Sequence, residues 1–229
     1  MYQHVFFDLD RTLWDFEINS HETLIELIDK YKLAEKGISS SKAFIEEYYK
    51  INDVLWEEYR QGSINQETLR FERFNRALLK YEITDAELIK KIGNDYVYLS
   101  PLKTNLVPYT IEVLDYLKSK YDLHIITNGF EEVQHIKLSN SGIANYFSEI
   151  ITSERAGFKK PDKRIFDYSL SATNSSREKS IMIGDCINAD ILGAKSAGIH
   201  QVYFNPDQHL HQEDITHEIR SLIELKEIL

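Results

Sequence analysis

The sequence predicts an α/β protein: a doubly wound, Rossmann-like parallel sheet core with an inserted α-helical domain. Three observations carry that expectation. After Pro108, short apolar runs alternate with helical stretches of about ten residues, a rhythm that demands parallel pairing through right-handed crossovers. One isolated apolar run, Val5-Phe6-Phe7, opens the chain and needs the second half to complete its sheet. Between them, from about Glu17 to Gly93, the chain reads as nearly pure helix; all four prolines lie beyond residue 100, and only Gly37, Gly62 and Gly93 of the nine glycines lie before it.

In the helical stretch, Ile18, Leu24, Leu27, Ile28 and Tyr31 follow 3.6-residue spacing behind Asn19 or Ser20 as the N-cap. Phe44, Ile45, Tyr48, Ile51, Leu55 and Tyr59 form a second stripe, and Leu69, Phe74, Leu78 and Tyr81 a third. Such stripes are the pattern of helix packing. In the second half, a helix over 109–120 precedes a strand over 123–126, a helix over 131–141 precedes 150–151, and a helix over 163–172 precedes 181–183. A helix near 189–197 then precedes a last strand over 202–204. The expected division is an α/β core from 1–16 and 94–229, with a helical domain over 17–93.

Composition excludes several classes of function. At 42% hydrophobic and 28% charged residues, with no run of 18 apolar residues, the chain predicts a globular protein without a membrane span. Met1-Tyr2-Gln3-His4 runs straight into a strand without a basic flank, so no signal peptide is expected. One cysteine, Cys186, rules out an internal disulfide framework and suits a reducing cytoplasm. A net charge of −10 argues against a nucleic-acid polymer as partner, because phosphate backbones need clustered Lys and Arg. It leaves room for a small phosphorylated ligand.

The strand exits carry the chemistry. In an open α/β sheet the carboxyl ends of the strands face the ligand crevice. Asp8-Leu9-Asp10-Arg11-Thr12 follows the first strand, and i, i+2 spacing in extended chain would put both carboxylates on one side. Thr127-Asn128-Gly129 leaves the second, offering a hydroxyl, an amide and a flexible backbone at a helix start. Gly157-Phe158-Lys159-Lys160-Pro161 places two lysines before a helix, and Gly184-Asp185-Cys186-Ile187-Asn188-Ala189-Asp190 adds two more acids at a strand exit. Each motif alone is explained by capping or solvation; together they converge on one sheet edge. Four carboxylates against one or two lysines are unstable without a cation, since a like-charged pair at 4 Å costs about 4 kcal/mol at an effective dielectric near 20. A divalent cation with oxygen ligands, Mg²⁺ for a phosphorylated ligand, resolves the imbalance.

The four motifs resemble, in order, those of the haloacid dehalogenase-like (HAD) superfamily of phosphohydrolases, and the helical insertion resembles its C1-type cap. The resemblance implies that Asp8 attacks phosphorus to form an aspartyl-phosphate, while Asp10 protonates the leaving oxygen and later activates water. It implies phosphate binding by Thr127, Asn128 and Lys160. It implies one Mg²⁺ held by the Asp8 carboxylate, the Asp10 backbone carbonyl and Asp185, with Asn188 or Asp190 acting through water. Crowding by Asp8 would raise the pKa of Asp10. The second aspartate of the first motif argues against dehalogenation, which needs no acid for a leaving alkoxide.

The segment from Asn52 to Ile64, with Leu69 to Phe74 and Ile126 to Phe130, is similar to bacterial house-cleaning pyrimidine 5'-nucleotidases within this superfamily. That similarity implies a nucleoside monophosphate as substrate, with Trp56, Tyr59 and Phe130 as candidates for stacking on the base. Packing within the helices explains Trp56 equally well. The alternatives are a phosphoglycolate- or sugar-phosphate-type phosphatase, phosphonate cleavage or a mutase, and a non-catalytic binding module. His209, His211 and His217 lie in a polar stretch expected to be a solvated loop, and Cys186 is expected to be a small filler.

Overall fold

The computed structural model describes all residues, Met1–Leu229. The chain divides into two compact units, one of Met1–Phe16 with Thr104–Leu229 and one of Glu17–Lys103. After the opening strand β1 (His4–Phe7), the chain builds four helices, α1 (Phe16–Lys30), α2 (Ser41–Arg60), α3 (Gln66–Leu79) and α4 (Ala86–Leu99). It then returns through α5 (Thr110–Lys118), β2 (Asp122–Thr127), α6 (Glu131–Asn140), β3 (Glu149–Thr152), α7 (Ser153–Ala156) and α8 (Lys163–Ala172). β4 (Ser180–Gly184), a π-helical stretch over Ile187–Leu192, α9 (Gly193–Ser196), β5 (His200–Phe204), β6 (His217–Ile219) and α10 (Leu225–Ile228) complete the chain.

The helical unit closes on a core from all four helices: Leu24, Leu27 and Ile28 of α1, Phe44, Ile45 and Tyr48 of α2, Phe74 and Leu78 of α3, and Ile89, Ile92 and Tyr96 of α4. Ser40, Asn65 and Asp85 accept backbone N–H bonds at the starts of α2, α3 and α4. Capping of this kind stabilises a helix by about 1 kcal/mol. α1 corrects the expectation, because it starts at Phe16 and buries Asn19 and Ser20 inside the helix, where Ser20 Oγ accepts from Tyr96 Oη at 2.8 Å. Ile18, placed on the apolar stripe by spacing, is 48% exposed. Gly93 is also not a boundary. It sits inside α4, where a Cβ would come within 3.1 Å of the Arg70 carbonyl oxygen of α3, so the glycine serves a close helix crossing and the unit runs on to Lys103.

The α/β unit contains a six-stranded, all-parallel sheet in the order β3-β2-β1-β4-β5-β6. Alternation along β1 feeds both faces. Val5 and Phe7 join Leu123, Ile125, Ile181 and Ile183 under Val113, Leu114 and Leu117 of α5. Phe6 joins Ile126, Ile151 and Met182 under Ile165, Phe166 and Leu170 of α8. Sheets buried on both faces read as continuous apolar runs, which is why these strands were legible. β6 was not: His217 stands in a strand paired with Val202 of β5, not in a solvated loop. Three residues with one buried position, Ile219, carry no apolar run. His209 is exposed near Asp207, whereas His211 lies edge-on to Tyr203 and faces Glu218 at 3.3 Å. No helix is long and apolar enough to cross a membrane.

At the amino edge of the sheet, His124 is 2% exposed and stacks against His4, with Nε2 3.2 Å from His4 Nδ1. Burial, then the neighbouring His4, lowers its pKa from 6.5 to about 4, against a smaller upward pull from Asp122 and Glu149. A histidine that is neutral when folded and titrates normally when unfolded binds more protons in the unfolded chain, so stability falls as the pH drops from 6.5 towards 4. The expected contribution to that fall is about 3 kcal/mol. Urea titrations of His124→Leu across this window should show that component missing; an unchanged pH slope would refute it.

Candidate active site at the carboxyl edge of the sheet

β1 lies between β2 and β4, so the chain leaves it at the point where the sheet order reverses. This is where doubly wound sheets open a crevice. Asp8 is the first residue beyond the strand; its N–H donates to the Ile183 carbonyl at 2.9 Å, which fixes the backbone level with the exit of β4. The chain then turns: the N–H groups of Leu13 and Trp14 both donate to the Leu9 carbonyl, and Arg11 adopts a φ of 65°. Asp8 and Asp10 accordingly do not behave as a pair on one extended strand. Separate partners hold them.

Asp8 belongs to a buried charge cluster. Lys160 Nζ lies 2.5 Å from Asp8 Oδ1 and 2.6 Å from Asp190 Oδ1, and also donates to the Ile126 carbonyl at 2.6 Å. Oxygens of Asp8, Asp185 and Asp190 all fall within 4.8 Å of one another. Burial, first of all, raises the Asp8 pKa well above the usual carboxylate range; Lys160 opposes the rise, and the charges of Asp190 and Asp185 add to it. The crowding on Asp8 therefore comes from the exit of β4 and not from Asp10. Asp185 is pushed up to about 7 by burial and by Asp190, despite Arg11 and a hydrogen bond donated by Thr12 Oγ1 at 3.0 Å. Burial works against the Lys160 ammonium, but Asp190 and Asp8 outweigh it and hold its pKa above the ordinary value.

Local sequence explains how these groups meet. Asp190 Oδ2 accepts the Cys186 N–H at 3.1 Å, and a Cβ on Gly184 would stand 2.4 Å from that carboxylate. Only glycine lets Asp190 fold back over the end of β4. Asp190 is therefore a member of the cluster, and Asn188, its alternative in the sequence, is exposed. Asn128 has a use that its sequence motif does not reveal. Its Nδ2 donates to the Lys160 carbonyl at 2.9 Å and its Oδ1 accepts the Lys160 N–H at 2.8 Å, so the amide braces the lysine loop. Thr127 is buried, and its Oγ1 accepts the Gly129 N–H at 3.0 Å, leaving its own O–H to donate.

Asp10 is held by two residues that the sequence reading missed. Gln134 Nε2 donates to its Oδ2 at 2.8 Å, and Lys137 Nζ forms a close ion pair with its Oδ1. Both residues are buried on α6, three positions apart on the side that carries Leu138. The available signal was polarity on an inward helix face, at positions where an apolar stripe should run. In the helical unit, Trp56 and Tyr59 pack edge to face at 5.5 Å, with Tyr59 buried; Phe130 stands at the start of α6 and is 6% exposed.

Comparison with known proteins agrees with the fold and motif order. The family of haloacid dehalogenase-like hydrolases matches residues 2–198. The chain belongs to this family. The structure of the HAD-hydrolase YfnB from Bacillus subtilis bound to magnesium superposes with a TM-score of 0.90 at 29% identity, covering 99% of this chain and 98% of that one. Pyrimidine 5'-nucleotidase YjjG of Escherichia coli (strain K12) is 30% identical over 98% of this chain and 96% of its own. Glyceraldehyde 3-phosphate phosphatase of Methanothermobacter thermautotrophicus is 31% identical over the full length of both.

In this HAD-like hydrolase, Lys160 is the only lysine ion-paired to the three-carboxylate cluster. Replacing it with Met should destabilise the fold by about 3–5 kcal/mol at pH 8 without divalent cations, the usual result of stranding a buried charge. The deficit should shrink as the pH falls through 7, where Asp185 takes up a proton. Denaturant melts at pH 8 and pH 5.5 measure it, and a loss independent of pH would show that the ammonium does not neutralise this cluster.

Proposed function

We propose that the protein hydrolyses phosphomonoesters through an aspartyl-phosphate on Asp8, with a pyrimidine nucleoside 5'-monophosphate as substrate and Mg²⁺ as cation. The observation that carries the reading is Asp8: a buried carboxylate at the sheet's switch point, beside the Lys160 ammonium and two further acids. In this reading an Asp8 oxygen bonds to phosphorus as the ester P–O bond breaks, and Asp10 gives its proton to the departing oxygen. Asp10 then takes a proton from the water that releases phosphate. Thr127 donates its hydroxyl to a phosphoryl oxygen. Lys160 Nζ hydrogen-bonds Asp8 and the Ile126 carbonyl and pairs with Asp190, so an incoming phosphoryl oxygen competes with these contacts.

The residues fit a hard divalent cation. Three carboxylates crowd together against one ammonium, an all-oxygen donor set of the type Mg²⁺ takes. Asp8, Asp185 and the Asp10 backbone carbonyl would hold it, with Asp190 as a further oxygen donor. When bound, the cation shields the charge of the phosphoryl group from Asp8.

Substrate choice rests on similarity. The Escherichia coli relative is a pyrimidine 5'-nucleotidase by name, over nearly the whole of both chains. We assign selection of the base to the helical unit, with Trp56, packed edge to face on Tyr59, as its candidate aromatic face. The Methanothermobacter relative supplies the competing substrate class, a triose phosphate.

Phosphate release measured with Mg²⁺ across pyrimidine nucleoside monophosphates, glyceraldehyde 3-phosphate and phosphoglycolate should favour the nucleotides. EDTA should abolish release, and Asp8→Asn should lower kcat by at least about 1,000-fold, as expected for loss of a nucleophile. Asp10→Asn should retain labelled phosphate on the protein. Ordinary turnover by Asp8→Asn would overturn the mechanism; a preference for the triose phosphate would overturn only the nucleotide assignment.

A further inference from the structure

We propose that Lys137 and Gln134 are positioning residues for Asp10: together they hold its carboxylate in one orientation for proton transfer to and from the reacting oxygen. The inference rests on the acid–base role given to Asp10 above and extends it to two residues outside the four motifs. Asp10 has two carboxylate oxygens, and each has its own donor. Gln134 Nε2 reaches Oδ2 at 2.8 Å, and Lys137 Nζ pairs with Oδ1. Two donors on opposite oxygens fix both the position and the plane of a carboxylate, which a single bond does not.

The amide of Gln134 has no competing partner. Gln134 is 1% exposed, and its Oε1 is buried without a hydrogen-bond partner. The amide is thus not shared between Asp10 and another element. The Lys137 ammonium, 7% exposed as a side chain, lies 4.2 Å from the ring centre of the fully buried Trp14. Trp14 is tied to the same turn as Asp10 through a backbone bridge and its bond to Leu9. The cation therefore grips the acid and the floor of the loop that presents it.

The backbone makes room for this grip. A Cβ on Gly129 would stand 1.4 Å from Gln134 Nε2, so any side chain at position 129 would occupy the path of the amide. Gly129 follows Thr127-Asn128, and its absence of a side chain serves a contact with the first motif. Stability is a weak explanation for the arrangement. The Asp10 side chain is 28% exposed, where an ion pair contributes little, while the lysine is desolvated along its length. A methionine at 137 would bury the same volume without a charge.

The test uses the leaving group. Departure of an alkoxide requires a proton from Asp10, whereas p-nitrophenolate departs without one, and kcat/KM reports events up to that departure. For Lys137→Met, kcat/KM for a nucleoside monophosphate or β-glycerol phosphate should fall about 30-fold, but for p-nitrophenyl phosphate at most about 3-fold, within the range for removing a supporting contact. Gln134→Leu should show the same split in smaller degree, and Lys137→Arg, which restores a cationic donor, should recover most of the alkyl-ester activity. Thermal melts establish that each variant is folded; if Lys137→Met is not, Gln134→Leu decides by the same ratio. Equal losses for both esters, or no loss for either, would overturn the inference. Wild-type protein assayed beside Asp8→Asn separates the two readings: turnover that survives Asp8→Asn removes the mechanism and this inference with it, whereas equal ester losses with an inactive Asp8→Asn remove the inference alone.

Discussion

The site depends on one buried ammonium. Asp8, Asp185 and Asp190 converge where β1 and β4 end side by side, and nothing in the hydrophobic core beneath them can neutralise the charge. Lys160 reaches this point from the loop after α7, with its Nζ between Asp8 and Asp190. An ion pair this deep forms only when its remaining polar contacts are met. The Ile126 carbonyl meets one, and the Asn128 amide, bonded to both backbone polar groups of Lys160, fixes the loop that delivers the lysine. The end of β2 thus exists in its observed form to support a charge balance made between β1 and β4.

A second lysine takes the second aspartate. Asp8 and Asp10 are two residues apart in sequence but face different cations, Lys160 from one loop and Lys137 from α6. In the proposed mechanism the two carboxylates have distinct tasks, and this separation has a physical use. A nucleophile must be ionised and held against phosphorus, while an acid–base group must exchange a proton without losing its place. Separate partners give each carboxylate its own fixed place.

The α/β architecture was legible because strands buried on both faces must be apolar throughout, and Val5-Phe6-Phe7, Leu123 to Ile126 and Ile181 to Ile183 are. β6 escaped because an edge strand with one buried residue, Ile219, needs no such run. The start of α1 escaped because Asn19 and Ser20 resemble N-caps, and only tertiary packing reveals that Tyr96 needs the Ser20 hydroxyl inside the unit. In the site, Asp8, Asp185 and Lys160 could be read from strand exits, since topology alone brings those exits together. Asn128 falls in the loop expected from the sequence, and its bonds to the Lys160 backbone lie beyond that expectation, because an amide serves a backbone or a phosphate equally well on paper. Gln134 and Lys137 were invisible to motif reading because their meaning lies in a helix face, and a helix face is interpretable only once its partner is known.

Gly129 and Gly184 connect these cases. A glycine after a strand suggests backbone freedom, yet neither residue has a positive φ. Each instead leaves room for a side chain from further along the chain: Gln134 passes over Gly129 to reach Asp10, and Asp190 folds over Gly184 to reach Lys160. The constraint is steric and reciprocal, because the glycine has no role without the long polar side chain that crosses it, and the side chain has no path without the glycine. The residue that demands glycine at 129 is therefore Gln134, five positions away and on a different element. A sequence position can be fixed by a contact that its own residue does not make.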